Sequence, residues 1–486
     1  VGKRVRIGVV LLWFLLVLPQ QGTAQEQETP MQHDQRAAMH NSTRSDIEHY
    51  GDVPRYQITG VITPQTQTLQ ATQKLFYVNK STDPLDRLYF RLFPNLDDMG
   101  GAVVITAARI NEQAVPFTSE AGEYLVRIDL AEPLASGATI VVALDFATTM
   151  PYNKGQQWYG AMNDDGASLS LASAYPIIAN YANGRWETEI PDTKGDMVNS
   201  PVALYDVTLT APSNYSIVTT GTTTQITKNG DTQTIHVVSG LQRDFTLVAT
   251  TLPRVSGSID GTRINVYYPT GNIRGGRLAL KFARQAIQLF NVKFGQYPYN
   301  ELDIVAVDAG TFYGVEYPGL TLIRRDLFAT SWLLESIIAH EIAHQWFYNV
   351  IGNDVQQHAW VDESLATYAQ VIYREAVWGQ PAAKIEGDDW VVRYERLKTR
   401  NADGPIARHM RDFTLYTYNV LAYDKAALYL AALRAQIGDD AFFAALQRYY
   451  HDNRYAYVDS SALTNAIQQT CNCDIQPLYA SWVLAR

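Results

Sequence analysis

The residues 331–350 include His340, Glu341 and His344 in the order H-E-x-x-H. On a helix, positions i and i+4 lie one turn apart on the same face, so both imidazoles can reach one metal ion. Zinc bound by histidine sits ~2.0–2.1 Å from each nitrogen. Glu341 would lie beside such an ion, placed to take a proton from water held there. A third ligand is available in Glu363, 19 positions after His344 and early in a second helical run at 359–370. Two histidines and one glutamate leave a fourth position open, which is what a hydrolytic zinc site requires. A carboxylate in a first helical turn is also favoured by the helix macrodipole, a role compatible with ligation. Asp362, next to Glu363, is either a supporting carboxylate or a helix cap.

The elements that must position these groups occupy the second half of the chain. The residues 277–292 read as a helix, with Leu278, Leu280, Phe282, Ile287 and Leu289 spaced for a mostly buried face. An apolar strand follows at 301–307, then an extended stretch at 310–323 that turns at Pro318-Gly319. From Ser331 onward helical patterns dominate. The first half differs: between about 56 and 250, short runs rich in Val, Ile, Thr, Tyr and Phe recur between turn signals. Examples lie at 56–63, 88–92, 139–146, 204–209 and 244–250, and two packed antiparallel sheets are their natural closure. The expected architecture is therefore multidomain: an N-terminal antiparallel β-sandwich at 47–253, then a mixed α+β domain at 254–486 that ends in helices. A chain of 486 residues is long enough for both.

With 39 basic and 49 acidic side chains, the formal charge of −10 argues against a nucleic-acid binder. Lys3, Arg4 and Arg6 precede a 12-residue apolar run at 7–18, and Gly22-Thr23-Ala24 offers small residues for cleavage. The residues 1–24 read as a signal peptide, and 25–46 as a flexible polar tail. The run is short for a ~30 Å bilayer core. A secreted or periplasmic protein without a stable membrane span is expected, with an uncleaved N-terminal anchor as the alternative. Asn41, Asn79 and Asn214 head glycosylation sequons, a short and common pattern. Cys471 and Cys473 are too sparse for a metal site, but they can pair locally in an oxidising compartment.

The motif resembles that of the aminopeptidase N family of zinc metallopeptidases, the gluzincins: H-E-x-x-H, 18 residues, then Glu. Gln345-Trp346-Phe347 follows the second histidine as it commonly does there. Phe294-Gly295-Gln296-Tyr297-Pro298-Tyr299 looks like the family's segment before the catalytic strands. The runs Tyr205 to Thr210 and Arg243-Asp244-Phe245 look like its N-terminal sandwich. The similarity covers most of the chain from about Tyr56, as a short form without the large C-terminal helical domain of the longest members. It implies a thermolysin-like catalytic domain and one Zn2+ ion held by His340, His344 and Glu363. It further implies release of N-terminal residues from peptides with a free amino terminus.

By the same resemblance, Tyr313-Gly314-Val315-Glu316-Tyr317 occupies the place of the family's G-x-M-E-N element. Glu316 matches the glutamate that binds the substrate's α-amine, and Tyr313 and Gly314 fall in the same substrate-binding strand. Tyr313, Val315 and Tyr317 depart from the usual Gly, Met and Asn, which leaves the shape of the first side-chain pocket open. Among 30 tyrosines, Tyr423 matches the catalytic tyrosine of the family's Y-x-K-G segment, with Ala426 in place of Gly. Two other classes stay open: a secreted zinc endopeptidase of the thermolysin type, which uses the same ligands, and a non-enzymatic binding protein that keeps the fold.

Overall fold

A computed structural model describes residues 35–150, 162–310 and 312–485. The expected signal peptide lies outside the described residues, as do the first ten residues of the expected tail.

The β-rich half is built on an eight-stranded sheet. Its strands run in the order Thr222–Asn229, Thr232–Val238, Leu204–Pro212, Arg55–Thr63, Thr68–Val78, Thr139–Thr149, Ala102–Ile110 and Gln113–Ala114. Each pair is antiparallel except Arg55–Thr63 with Leu204–Pro212, which run parallel. Alternation sets the inner face: along Arg55–Thr63, Tyr56, Ile58 and Ile62 are buried while Gln57, Thr59 and Val61 are exposed. Two four-stranded sheets and a two-stranded one complete this half, the four-stranded ones containing Ser168–Ala172 and Thr246–Thr250, and Leu85–Arg91 and Leu125–Leu134. Asn79 is fully buried. Its amide nitrogen donates to the carbonyls of Asp83 and Leu134 at 2.8 and 2.9 Å, so this sequon asparagine is a structural clamp.

The second half begins with a five-stranded sheet. We label its strands β1 (Arg254–Ile259), β2 (Thr262–Tyr267), β3 (Glu301–Val307), β4 (Gly314–Val315) and β5 (Leu320–Arg324). Their order is β1-β2-β3-β5-β4, so the short β4 forms an edge, antiparallel to β5. The helices that matter are α1 (Ile273–Lys293), α2 (Ser331–Ala343), α3 (Trp360–Trp378), α4 (Gln380–Thr399), α5 (Ala426–Ile437), α6 (Asp439–Asn453) and α7 (Ser460–Cys471).

Helix α1 begins where the Asn272 side chain accepts a hydrogen bond from the Gly275 amide at 3.0 Å. Its buried face includes Phe282 and Ile287 of the expected set, but alanines take the places expected of leucines. Ala279, Phe282, Ala283, Ala286, Ile287 and Phe290 turn inward, and Leu278, Leu280 and Leu289 flank them, half-buried. Three alanines on that face let the helix lie close to the sheet. The larger side chains among them each contribute about 1.5–3 kcal/mol of burial. Helix α2 is buried on almost every side, from Leu334 to Ala343.

The stretch expected to be a flexible tail is, from Gln35 on, packed structure. Gln35 and Met39 are fully buried. The His40 amide and the Thr43 hydroxyl both donate to the Pro298 carbonyl, at 2.9 and 2.8 Å. Asp46 accepts from Arg454 and from the Tyr455 hydroxyl at 3.1 and 3.0 Å. The apolar Ala38, Met39 and Ile47, isolated in a polar stretch, supply the burial that holds it down. Cys471 and Cys473 are joined by a disulfide. Among the described residues, no helix is long and apolar enough to cross a membrane.

Candidate active site

Helix α2 delivers two of the expected ligands and α3 the third. His340 lies in the last turn of α2, His344 caps its C-terminus, and Glu363 sits in the first turn of α3. The two histidine Nε2 atoms are 3.1 Å apart, and Glu363 Oε2 is 3.4 Å from each. Zinc bonds of ~2.0–2.1 Å at tetrahedral angles put neighbouring ligand atoms about 3.3 Å apart. The three atoms already stand at that spacing. Glu363 Oε2 is buried without a hydrogen-bond partner, an arrangement that is costly unless a cation takes it up. His344 Nδ1 lies 3.1 Å from the Phe347 carbonyl. That contact requires the proton on Nδ1 and leaves the Nε2 lone pair for a metal. Among the described residues, this trio is the one group with metal-ligand geometry.

The electrostatics point the same way. Glu316, Glu341, Asp362 and Glu363 are all buried around the two histidines. Burial, with Glu316 adding to it, pushes the Glu341 carboxyl well above its ordinary range. Burial and neighbouring Glu363 do the same to Asp362, whose Oδ1 accepts the Glu363 amide at 3.0 Å. Burial alone would raise Glu363, but the two imidazoles facing it hold it down at about 2. Burial lowers His340, whereas the surrounding carboxylates overcome burial at His344 and raise it well above its usual value. Buried carboxyl groups relieve their charge by taking up a proton, as the raised Glu341 and Asp362 do, or by facing a cation, as Glu363 is placed to do.

Glu341 and Gly314 meet. A Cβ at Gly314 would stand 2.4 Å from Glu341 Oε1. The edge strand β4 therefore passes directly over the carboxylate, and a side chain at Gly314 would have to displace Glu341. Glu316 follows β4 and is tied to α2 by Gln345. The Gln345 side chain donates to the carbonyls of Glu316 and Tyr317, both at 3.2 Å, and accepts the Gly319 amide at 2.9 Å. Gly319 holds φ +68°, a backbone that disfavours any other residue in the turn after Glu316. Beside Glu316 lies a small cavity lined by Met99, Ser173, Asp196, Met197, Val198 and Tyr348.

Two expected residues behave differently from the rest. Tyr313 has its ring 46% exposed, with the Arg324 guanidinium 4.5 Å from the ring centre, so it is committed to the surface. Tyr423 does reach the site, stacked on His340 with ring centres 6.0 Å apart, but its hydroxyl donates to Glu363 Oε1. It sits in a π-helical turn, Asn419–Lys425, which swings it towards α3. That turn is pinned on both sides. Arg393 makes a two-pronged bond to Asp424 at 2.8 and 2.7 Å, and buried Lys425 donates to Asp403 and to the Gly404 carbonyl. Tyr418 also approaches Glu363, at 3.5 Å. Sequence reasoning named Gln345 only as a motif residue without a role, and missed Tyr418 and this pinning; the only written signal for the latter was the Asp-Lys pair that follows Tyr423.

Residues 278–482 match the model described as the peptidase family M1 domain. The matched segment is under half of the 486-residue chain. It contains the ligand candidates His340, His344 and Glu363, and also Glu316, Glu341 and Tyr423. Similar proteins include Aminopeptidase M1-B of Oryza sativa subsp. japonica, 24% identical over 297 residues, and Aminopeptidase N of Streptomyces lividans, 26% identical over 218 residues. Those matches cover 58% and 41% of this chain but only 34% and 25% of the relatives, so the chain spans about a third or less of their length. Among solved structures, an M1 zinc metallopeptidase from Deinococcus radiodurans superposes with a TM-score of 0.68 at 22% identity, covering 90% of this chain and 94% of that one. A mutant of that peptidase bound to a Tyr-Ser-Ala substrate superposes with a TM-score of 0.66 at 21% identity, with the same coverage. The β-rich half followed by the M1 domain is thus the two-domain fold of those peptidases.

Proposed function

We propose that the chain is a zinc-dependent aminopeptidase that releases N-terminal residues from peptides. The observation that carries this reading is the convergence of Glu316, beside the edge strand β4, onto the His340–His344–Glu363 trio. The Deinococcus peptidase, seen with a Tyr-Ser-Ala substrate, has the same overall fold.

His340, His344 and Glu363 would hold the ion, which when bound would supply Lewis acidity to the scissile carbonyl and to water. Glu341 takes the proton of the attacking water and passes it to the leaving amine. Burial and the neighbouring Glu316 raise its proton affinity. Glu316 faces the substrate's ammonium, an ion pair that fixes the amino terminus relative to the reacting bond. Edge strand β4 offers its free backbone groups to the extended peptide. Tyr423 supplies a phenolic donor to the oxygen that gains charge, and must turn from Glu363 to do so.

A panel of fluorogenic amino-acid amides, each free or N-acetylated, tests the reading with and without a chelator. Cleavage of the free-amine series only, lost as zinc is stripped and regained on its return, is the expected pattern. Equal cleavage of the acetylated series would make the chain an endopeptidase instead. Gly314→Ala gives a finer test, because one methyl group must displace the Glu341 carboxylate. Turnover is expected to fall roughly 10–100-fold, as for small misplacements of a reacting group. Zinc content stays unchanged. Full turnover in that variant would show that Glu341 need not stand where it does.

A further inference from the structure

Arg243 belongs to the β-rich half, is 3% exposed, and has no carboxylate partner among the described residues. Its guanidinium instead donates to four carbonyls: Tyr348 at 2.8 Å, Ser200 at 3.2 Å, Val350 at 3.3 Å, and Ala456. Two of these four lie in the turn that follows α2. A buried cation without a counter-charge is expensive, so its retention calls for a reason beyond packing. The turn it grips contains the Phe347 carbonyl that orients His344, one peptide unit before the Tyr348 carbonyl that Arg243 holds. The same turn is knotted to α2 by the Asn349 amide, which donates to the His344 carbonyl at 3.0 Å. The chain then closes on the guanidinium so tightly that a Cβ at Gly352 would stand 2.2 Å from Arg243 Nε.

We propose that Arg243 is a positioning residue: reaching from the β-rich half, it fixes the turn after α2 and thereby the orientation of His344 towards the metal. The metal site is then complete only when the two halves are docked. This inference rests on the zinc reading above and adds to it a residue that touches neither metal nor substrate. Removing a group that orients a metal-ligating histidine costs about 10–100-fold in metal affinity.

The test measures zinc dissociation constants of the full chain by competition with a chromophoric chelator, alongside melting temperatures. The variants are Arg243→Met, Arg243→Lys, Gly352→Ala and, as comparator, Arg325→Met. Arg325 also links the two halves, through Asp165 at 2.5 Å, but not through the turn after α2. Arg243→Met is expected to weaken zinc binding about 10–100-fold, with Arg243→Lys and Gly352→Ala between it and the wild type. Arg325→Met should lower the melting temperature and leave zinc affinity within about twofold. Should Arg243→Met fail to fold, Arg243→Lys and Gly352→Ala carry the comparison. Unchanged affinity in the folded Arg243 and Gly352 variants overturns the proposal, as does an equal loss in Arg325→Met. A wild-type chain with no zinc affinity overturns the metal reading itself and this inference with it.

Discussion

Glu341→Gln is expected to lower kcat about 10²–10⁴-fold, the span that positioned acid–base groups contribute, while zinc stays at full occupancy. The substitution keeps shape and volume and removes only the ability to hold a proton between two steps. Nothing in the ligand trio depends on it. Glu341 is not among the three atoms at 3.1–3.4 Å spacing, and its Oε2 is buried without a hydrogen-bond partner. A glutamine there leaves the His344–Phe347 contact intact, so the metal should bind as before. Metal analysis by emission spectrometry and kcat on a cleaved amide, measured on one preparation, separate the two effects. A variant with full zinc and kcat within tenfold of the wild type would remove Glu341 from proton transfer. Loss of zinc together with activity would instead make it part of the ligand set.

Part of this site was legible because it obeys a local rule. The helical period alone puts His340 and His344 on one face, and α2 shows them with their Nε2 atoms adjacent. Glu363 needed one further step, a second helix packed against the first, and the 19-residue spacing allows just enough chain for the intervening turn. The β-rich half was readable from alternation, as Arg55–Thr63 illustrates, but alternation cannot tell a parallel neighbour from an antiparallel one, so the pairing with Leu204–Pro212 went unseen. What stayed hidden depends on contacts between residues far apart in the chain. Gly314 looks like any strand glycine until Glu341 is seen against it. Arg243 stands in the sequence only as part of the Arg243-Asp244-Phe245 run, and its role shows once four carbonyls surround it. The stretch from Gln35 was read as a tail because its few apolar residues show no period; they are buried one by one, while Thr43 and Asp46 between them bond to Pro298, Arg454 and Tyr455. Tyr423 could be selected only by resemblance, and its present bond to Glu363 follows from the pinned π-helical turn, which no periodicity announces.

Glu316→Ala is expected to reduce kcat/KM for free-amine substrates about 30–4,000-fold. Truncating one partner of a buried ion pair costs about 2–5 kcal/mol, and each 1.4 kcal/mol is tenfold. Glu316 is 6% exposed, so an ammonium bound there gives up much of its water and depends on the carboxylate it meets. Glu316→Gln should recover part of the loss, since the amide oxygen still accepts from the ammonium, but without the charge. Gln345 holds the Glu316 backbone through its carbonyl, so neither variant should move β4 or the Gly314 contact with Glu341. Residual cleavage of N-acetylated substrates, which bring no ammonium, should therefore stay the same in wild type and variants. Selectivity for a free amine, the ratio of the two rates, is the quantity that separates the readings. If the chain is an aminopeptidase, the ratio collapses because its numerator falls. If it is an endopeptidase that merely carries a buried glutamate near the metal, both rates move together and the ratio holds.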